Sequence, residues 1–589
     1  MNLFTELQRR NVPRAALLYA GATWALAQGI AQLGPFFGLP DWGVRWFVIA
    51  CCVGFPFWLV FAWVYEWTAQ GLKRESEIAA DPAISRSTGR KLDRAIIAVL
   101  AVAVVLLLTD RFVVRKGDGV AIAEKSVAVL PLANESGDQD QQYFSDGLSD
   151  DLINALMQFG NLKVIGRASS FQFRDSRDSS ATIGHKLGVA YLLTGSVRKL
   201  GDTVRINAQL VKAADGSGVW SRSYDRPYAD LFTLQDEITA AVADALKAKL
   251  LTAPGAVVQS DRPPSGNLAA YAAYQHGFAY YALNTEAGSR QAIRAFEDAT
   301  NLDPRYAAAY ARLSMAWTRL ASHELNEPAE IALAKTAAHK AADTALAVDA
   351  DLAMAHQARA FLLQNLDMDW RGAEAESRRA LQLAPNDAEA QSSLGSQLAS
   401  LGQNRRAVEL TRQALSSDPR NASWHSWLSA YLVALDQLDD ARAAIDTAIG
   451  LQSDAATFHA GLATIQILRG ESAGALAAAR QETDQGWYVI ATALASQIDT
   501  DRAAADAALE NLIMNKADAA AYQIAQVYAL RRDADNVFKW LDRAWNNRDA
   551  GLGTLLSDPL VLRYRDDPRF AVFCKKIGLP TTTDAVAMK

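Results

Sequence analysis

"AEAESRRALQLAPNDAEAQSSLGSQLASLGQNRRAVELTRQALSSDP", residues 373–419, decides the fold of the second half of this 589-residue chain. It alternates helical stretches with short turns and returns to itself after 34 residues: Ala373 to Ala407, Ala380 to Ala414, Pro385 to Pro419. The step runs on to Ala441, Ala448 and Ala475, while Phe361, Gly395, Ser429 and Ala463 mark the matching place in the preceding helix. Small residues at fixed positions fall where two helices press together, and proline closes the pair because it cannot continue a helix. One such hairpin cannot bury its apolar stripe alone, so neighbours must stack into a superhelix.

A 34-residue unit of two antiparallel helices resembles the tetratricopeptide repeat, and that resemblance implies a groove for a protein or peptide partner. Upstream, "AIRAFEDATNLDPRYAAAYARLS" (292–314) keeps the pattern with Ala299 and Pro304 in role. An insertion around "SHELNEPAEIAL" delays the next step to Ala345. Downstream, 520–545 fits one more degenerate unit. The repeats are placed at 268–549, with 550–589 as a cap and tail.

Residues 117–251 change character. "KSVAVLPL" reads as a buried strand, 145–158 as a helix, "LKVIG" as a strand and 181–187 as a short helix. "AYLLTGSVRKLGDTVRINAQLVKAADGSGVWSRSYD" gives three strands, its turns "LGDT" and "ADGSG" carrying the Gly and Asp that hairpins require. A last helix has Leu234, Ile238, Val242 and Leu246 on one face. This is a small α/β domain. The segment 252–267, rich in Pro, Gly and Ser, reads as a linker to the repeats.

The first 116 residues read as a membrane module. Runs at 15–33 and 44–65 are each long enough to cross a hydrocarbon core, and a third at 95–109, extended to about 93–112 by its flanks, is short for a span. Arg9, Arg10 and Arg14 precede the first run, and Lys73, Arg74, Arg86, Arg90, Lys91 and Arg94 lie between the second and third. By the positive-inside rule the N-terminus and the 67–94 loop are expected in the cytoplasm, and everything after about 113 on the far side, the periplasm in a bacterium. Lipid is thus an expected partner.

Chemistry is harder to find. A net charge of −6 gives no reason to expect nucleic acid, and three cysteines (Cys51, Cys52, Cys574) are too few for a disulfide framework. GxxxxGK[ST], HExxH and GxSxG motifs are missing. His185, His276, His323, His339, His356, His425 and His459 are scattered. Trp220, Tyr224 and Tyr228 could offer an aromatic contact surface but fit core packing better. The densest candidate is "DQDQQYFSDGLSDDLINALMQF" (138–159), with Asp138, Asp140, Asp146, Asp150 and Asp151. As a calcium loop counted from Asp138 it puts Tyr143 where Gly is needed and Ser149 where Glu is needed. The favoured reading has Ser145 or Asp146 capping a helix and Asp150 and Asp151 complementing its positive end. A metal-dependent activity at 138–151 is the rival.

The motifs "VLPLAN", "YFSDGLSDDL", "GSVRK" and "LQDEI" match, in order, the TolB amino-terminal-like domain of bacterial multidomain signalling proteins, which this region resembles. In that family tetratricopeptide repeats usually follow, and a cyclase, winged-helix or kinase domain precedes in some members. The resemblance implies a binding role in the envelope and transfers no catalytic residue. The expectation is a multidomain chain: membrane helices, a TolB-like α/β domain and a repeat superhelix. Its expected function is that of a non-enzymatic scaffold or sensor without catalytic, cofactor-binding or metal residues. A signalling protein of the adenylate-cyclase-associated type, its repeats in the cytoplasm, is the alternative.

Overall fold

The computed structural model describes residues 123–138, 141–248, 259–283, 285–325 and 327–588; before these it describes 16, 19, 20, 22, 23, 51, 54–56, 58, 65–68 and 71–74. The chain forms two compact units, Met1–Ala121 and Ile122–Lys589. In the first, the described residues at 16–23 and 51–58 are helical, and they touch: Tyr19 Oη donates to the Cys51 carbonyl at 2.9 Å. The Tyr19 ring lies 5.6 Å from Phe55 and 5.7 Å from Trp58. A hairpin of β1 (Tyr65–Thr68) and β2 (Gly71–Arg74) follows. Among the described residues no helix is long and apolar enough to cross a membrane. The three expected spans lie almost wholly outside those residues.

The second unit opens with the α/β domain. Its elements are β3 (Ala123–Val129), β4 (Ala133–Asn134), α1 (Gln142–Met157), β5 (Lys163–Val164), the single turn α2 (Arg167–Ser170) and α3 (Ser180–Leu187). Then come β6 (Val189–Leu200), β7 (Thr203–Lys212), β8 (Gly218–Pro227) and α4 (Leu231–Ala245). The sheet order is β5-β3-β6-β7-β8: β3 runs parallel to β5 and β6, and β6, β7 and β8 form an antiparallel meander. Gly201 (φ +59°) and Gly216 (φ +72°) make the two tight turns, a backbone region costly for residues with a Cβ. Alternation along β7 puts Val204, Ile206, Ala208 and Leu210 on one face, where they bury against Leu148, Leu152 and Leu156 of α1 and Leu234, Ile238 and Val242 of α4. Tyr224 belongs to this core and Trp220 and Tyr228 pack on it, so these aromatics are packing residues.

The remainder is helical. The pairs are α5 (Leu268–Tyr281) with α6 (Glu286–Leu302), α7 (Ala307–Arg319) with α8 (Pro328–Val348), α9 (Ala353–Leu362) with α10 (Trp370–Leu383), and α11 (Ala388–Ser400) with α12 (Asn404–Ser417). They continue as α13 (Ala422–Ala434) with α14 (Leu438–Leu451), α15 (Phe458–Arg469) with α16 (Ser472–Ala479), α17 (Gln485–Ser496) with α18 (Arg502–Lys516), and α19 (Ala521–Leu530) with α20 (Ala534–Asn546). Ala373, Ala407, Ala441 and Ala475, one per pair, are each 0% exposed. Gly395 of α11 faces α12, where a Cβ would sit 3.2 Å from Thr411 Oγ1. The insertion is absorbed in place, α7 overrunning into a π turn (Leu320–Glu324) before α8 starts at Pro328.

Such a seam tolerates little extra volume. Ala407→Val is expected to cost about 2 kcal/mol by wedging α11 from α12, whereas Ala443→Val, on the exposed side of α14, should cost at most about 0.5 kcal/mol. Urea midpoints of the two variants check this; equal losses would count against the seam.

The array ends in a 3-10 segment (Ala550–Ser557), α21 (Pro559–Leu562) and α22 (Pro568–Lys576). Leu552, Leu555, Val561, Phe570 and Phe573 from this cap share one core with Val537 and Leu541 of α20. The superhelix also returns on itself. Trp545 lies 6.4 Å from Trp370 at the start of α10, Arg548 Nη1 donates to the Asp367 carbonyl at 3.2 Å, and Ser557 Oγ donates to the Ala399 carbonyl at 2.8 Å.

Candidate functional site

The aspartates of 138–159 do not start a helix. Helix α1 begins at Gln142 with Gln141 in the cap position and no side-chain cap. That places Ser145 and Asp146 inside the first turns and Asp150 and Asp151 in the middle, beyond the reach of the positive helix end. Ser145 is buried at 0% exposure. The capping reading is therefore corrected. Asp138 acts through its backbone, its carbonyl accepting from Asn134 Nδ2 and Gln141 N, and Asp140 lies outside the described residues.

What holds the carboxylates is tertiary. Asp146 accepts from Arg174 Nη2 at 2.7 Å and from Gln142 Nε2 at 2.8 Å, and Asp150 pairs with Arg167 of α2 at 3.7 Å. Asp151 reaches across to the repeats: Tyr271 Oη of α5 donates to its Oδ2, and so does Gln235 Nε2 of α4, at 2.6 Å. A third carboxylate enters from the linker, where Asp261 Oδ2 accepts from Tyr274 Oη at 3.3 Å and its carbonyl accepts from Tyr306 Oη at 2.5 Å.

Against these stands Arg312 of α7, whose guanidinium lies 5.0 Å from the Phe278 ring; Arg167 lies at the same 5.0 Å distance from that ring. Burial penalises the charged forms. It pushes Asp150 up to about 6 against the pull of Arg167, and Asp151 up to about 7 despite the Tyr271 and Gln235 hydrogen bonds, with Asp261 and Asp150 adding to the rise. Asp261 is raised by burial too, which Arg312 opposes. Arg312 is held charged, because Tyr274, Glu389 and Asp261 outweigh the cost of its burial. Asp150 keeps 17% of its side chain exposed, so part of this penalty is relieved by solvent.

A second seam lies farther along the array. Gly166 N donates to the Ser417 carbonyl at 2.8 Å, Ser169 N to Asp418 Oδ1 at 2.7 Å, and Arg420 N to Ser169 Oγ at 2.7 Å. Gln172 and Arg420 exchange bonds of 2.8 and 2.6 Å. Between the seams, Gln259 donates to the Asp351 carbonyl at 3.1 Å and accepts from Ala353 N at 2.8 Å. The α/β domain and its linker thus grip the inter-repeat turns from Tyr306 to Arg420, and the acidic stretch is one end of that grip.

The partners of the three carboxylates are protein side chains. Among the described residues, two hollows of about 330 and 410 Å³ lie on β7–β8 around Arg205 and Asp225 and between α16, α17 and α18 around Arg480 and Asp499. Among the described residues no group of three His, Cys, Asp or Glu side chains is placed to hold a metal. Two histidines serve locally: His356 Nδ1 meets Glu376 at 2.6 Å and His425 Nε2 meets the Pro419 carbonyl at 2.9 Å. Burial pushes the Cys574 thiol up to about 12, far from a nucleophile's range.

Residues 123–241 match the family profile described as the second domain of HilA/YgeH-like transcriptional regulators. A 200-residue stretch is 36% identical to a Rhizobium meliloti (strain 1021) protein named "Putative adenylate cyclase 3", covering 33% of this chain and 32% of that protein. The match thus spans about a third of the relative's length.

Among solved structures, the chain is similar to a thermophilic tetratricopeptide-repeat protein of Thermus thermophilus (18% identity, 34% of this chain and 100% of that one, TM-score 0.29). It is also similar to PilF of Pseudomonas aeruginosa (16%, 42% and 92%, TM-score 0.27) and to YrrB, described as a repeat protein with an unusual peptide-binding site (19%, 32% and 90%, TM-score 0.22). At such scores the superpositions decide nothing. The assignment of the helical part rests on its own pairing and 34-residue step.

Asp261, Arg312, Tyr271, Tyr274 and Arg167 complete the cluster and were not singled out in the sequence. The available signal was thin: tyrosines three apart in "AAYAAYQHG" and a lone arginine in the alanine-rich "AAAYARLS".

Proposed function

We propose that the chain is a non-enzymatic, membrane-anchored scaffold whose repeat array binds a protein or peptide partner and whose α/β domain sets the array's shape. The observation that carries this reading is the consumption of the acidic stretch: Asp146 and Asp150 pair with Arg174 and Arg167 inside the α/β domain, and Asp151 holds that domain to Tyr271 of the repeats. The membrane anchor rests on the apolar runs at 15–33, 44–65 and 93–112, and the periplasmic side on the positive-inside rule. The TolB resemblance favours the same side.

The second reading is a cytoplasmic regulator of the cyclase-associated type, favoured by the names of the Rhizobium relative and of the matching family. A reporter active only in the cytoplasm, fused at about residue 260, separates the two. It should be silent, and activity there would overturn the periplasmic placement. Purified full-length protein is expected to make no cyclic AMP from ATP and to gain no thermal stability from calcium, magnesium or manganese, since a ligand of the folded state must raise its stability. Turnover or a metal-dependent shift would overturn the scaffold reading.

A further inference from the structure

The segment Thr582–Met588 lies across the array much as a bound peptide would. Asp584 places its two carboxylate oxygens on consecutive backbone amides at the start of α12, Asn404 N at 2.7 Å and Arg405 N at 2.9 Å. This helix has no side-chain cap of its own, so the two orphan amides are satisfied from 180 residues away.

Further bonds flank the helix start. Asp584 N donates to the Gly402 carbonyl at 3.0 Å, Val586 N to the Ala434 carbonyl at 2.6 Å and Met588 N to the Pro559 carbonyl at 2.8 Å. Thr583 Oγ1 donates to the Leu556 carbonyl at 2.6 Å. Ala585 is 3% exposed and belongs to the large core, while Val586 points outward at 42%. The receiving surface is cut to fit. Gly402 sits at φ +77°, and a Cβ on it would lie 2.9 Å from Thr583 Cβ and 3.0 Å from the Thr582 carbonyl oxygen. Backbone bonds supply affinity, while one charge and one small side chain supply selectivity, the division of labour seen where extended peptides are recognised.

We propose that Gly402, the first turn of α12, the end of α13 and the 556–559 turn form a binding site for an extended peptide of the pattern Thr-Asp-small, occupied here in cis by Thr583–Ala585. A partner peptide of the same pattern competes with the cis segment and, on displacing it, frees the late repeats from α12 and α13. The scaffold reading enters only in naming a peptide as ligand, and the site does not depend on the side of the membrane.

The test uses the full chain lacking residues 581–589 and a fluorescent peptide of that sequence, TTTDAVAMK, read by anisotropy. Saturable binding is expected to the deletion variant and at least tenfold weaker binding to the intact chain. A peptide carrying Asp584→Asn should bind at least tenfold more weakly than the native one, because one charge-assisted bond becomes neutral and the other is lost, the amide nitrogen being unable to accept. No binding by a deletion variant whose circular dichroism is native overturns the site, as does equal binding of the two peptides. Should the deletion variant unfold, intact chain carrying Asp584→Ala replaces it: peptide uptake is expected, and a folded variant that takes up none overturns the proposal. Failure here leaves the topology and turnover tests of the scaffold reading untouched.

Discussion

Replacing Asp151 by asparagine is expected to raise the melting temperature at pH 8 and to leave it nearly unchanged at pH 4. In the folded protein this carboxyl titrates at about 7 instead of 3.8, so between those values the folded state holds a proton that the unfolded chain has released. Stability from the protonated carboxyl is full below about pH 4 and is lost as the pH rises through about 7. The rise from 3.8 to about 7 corresponds to at most about 4 kcal/mol, less what the partly accessible carboxyl recovers from water.

The groups facing it are Tyr271 on α5, Gln235 on α4, Asp261 on the linker and Asp150 on its own helix, and only the first two favour its ionised form. Asparagine keeps an oxygen for the Tyr271 and Gln235 donors and carries no charge at any pH. Melting curves of both proteins from pH 4 to pH 9 provide the check; parallel profiles would show that Asp151 does not titrate in this range.

Arg312→Met carries the opposite expectation. It removes the guanidinium that opposes Asp261 and Asp150 and leaves their carboxylates to repel each other under the domain contact. Removing a buried countercharge of this kind costs about 3 kcal/mol, and the loss should grow from pH 5 to pH 8 as the acids ionise. Adding Asp261→Asn should recover part of it, with a coupling of about 1–3 kcal/mol between the two sites. Additive losses in that double-mutant cycle would separate Arg312 from the cluster.

Both expectations concern a cluster whose parts were unequally legible. The stretch 138–159 stood out because five acids in so short a span are rare, and its helix could be read from Leu148, Leu152 and Leu156. The purpose of the acids could not. Helix-end electrostatics is a local rule, and it misplaced Asp150 and Asp151 because the helix begins at Gln142, a turn earlier than the acids suggested. Tyr271, the partner of Asp151, lies 120 residues away and carries no pattern that ties it to α1. The same holds for Asp584, which reads as one more polar residue in a tail until α12 is found beneath it.

The sequence by itself determined the elements and the repeat. The 34-residue step, the alternation along β6 to β8 and the glycines of their turns are local or periodic constraints, written at spacings that a helix or strand imposes on its own residues. Only the tertiary structure decided where the charged residues went, that the α/β domain grips the inter-repeat turns and that the array closes on its own late segment. Those outcomes depend on which buried charges and orphan amides meet after folding, because desolvation has to be offset by a partner wherever the chain happens to bring one.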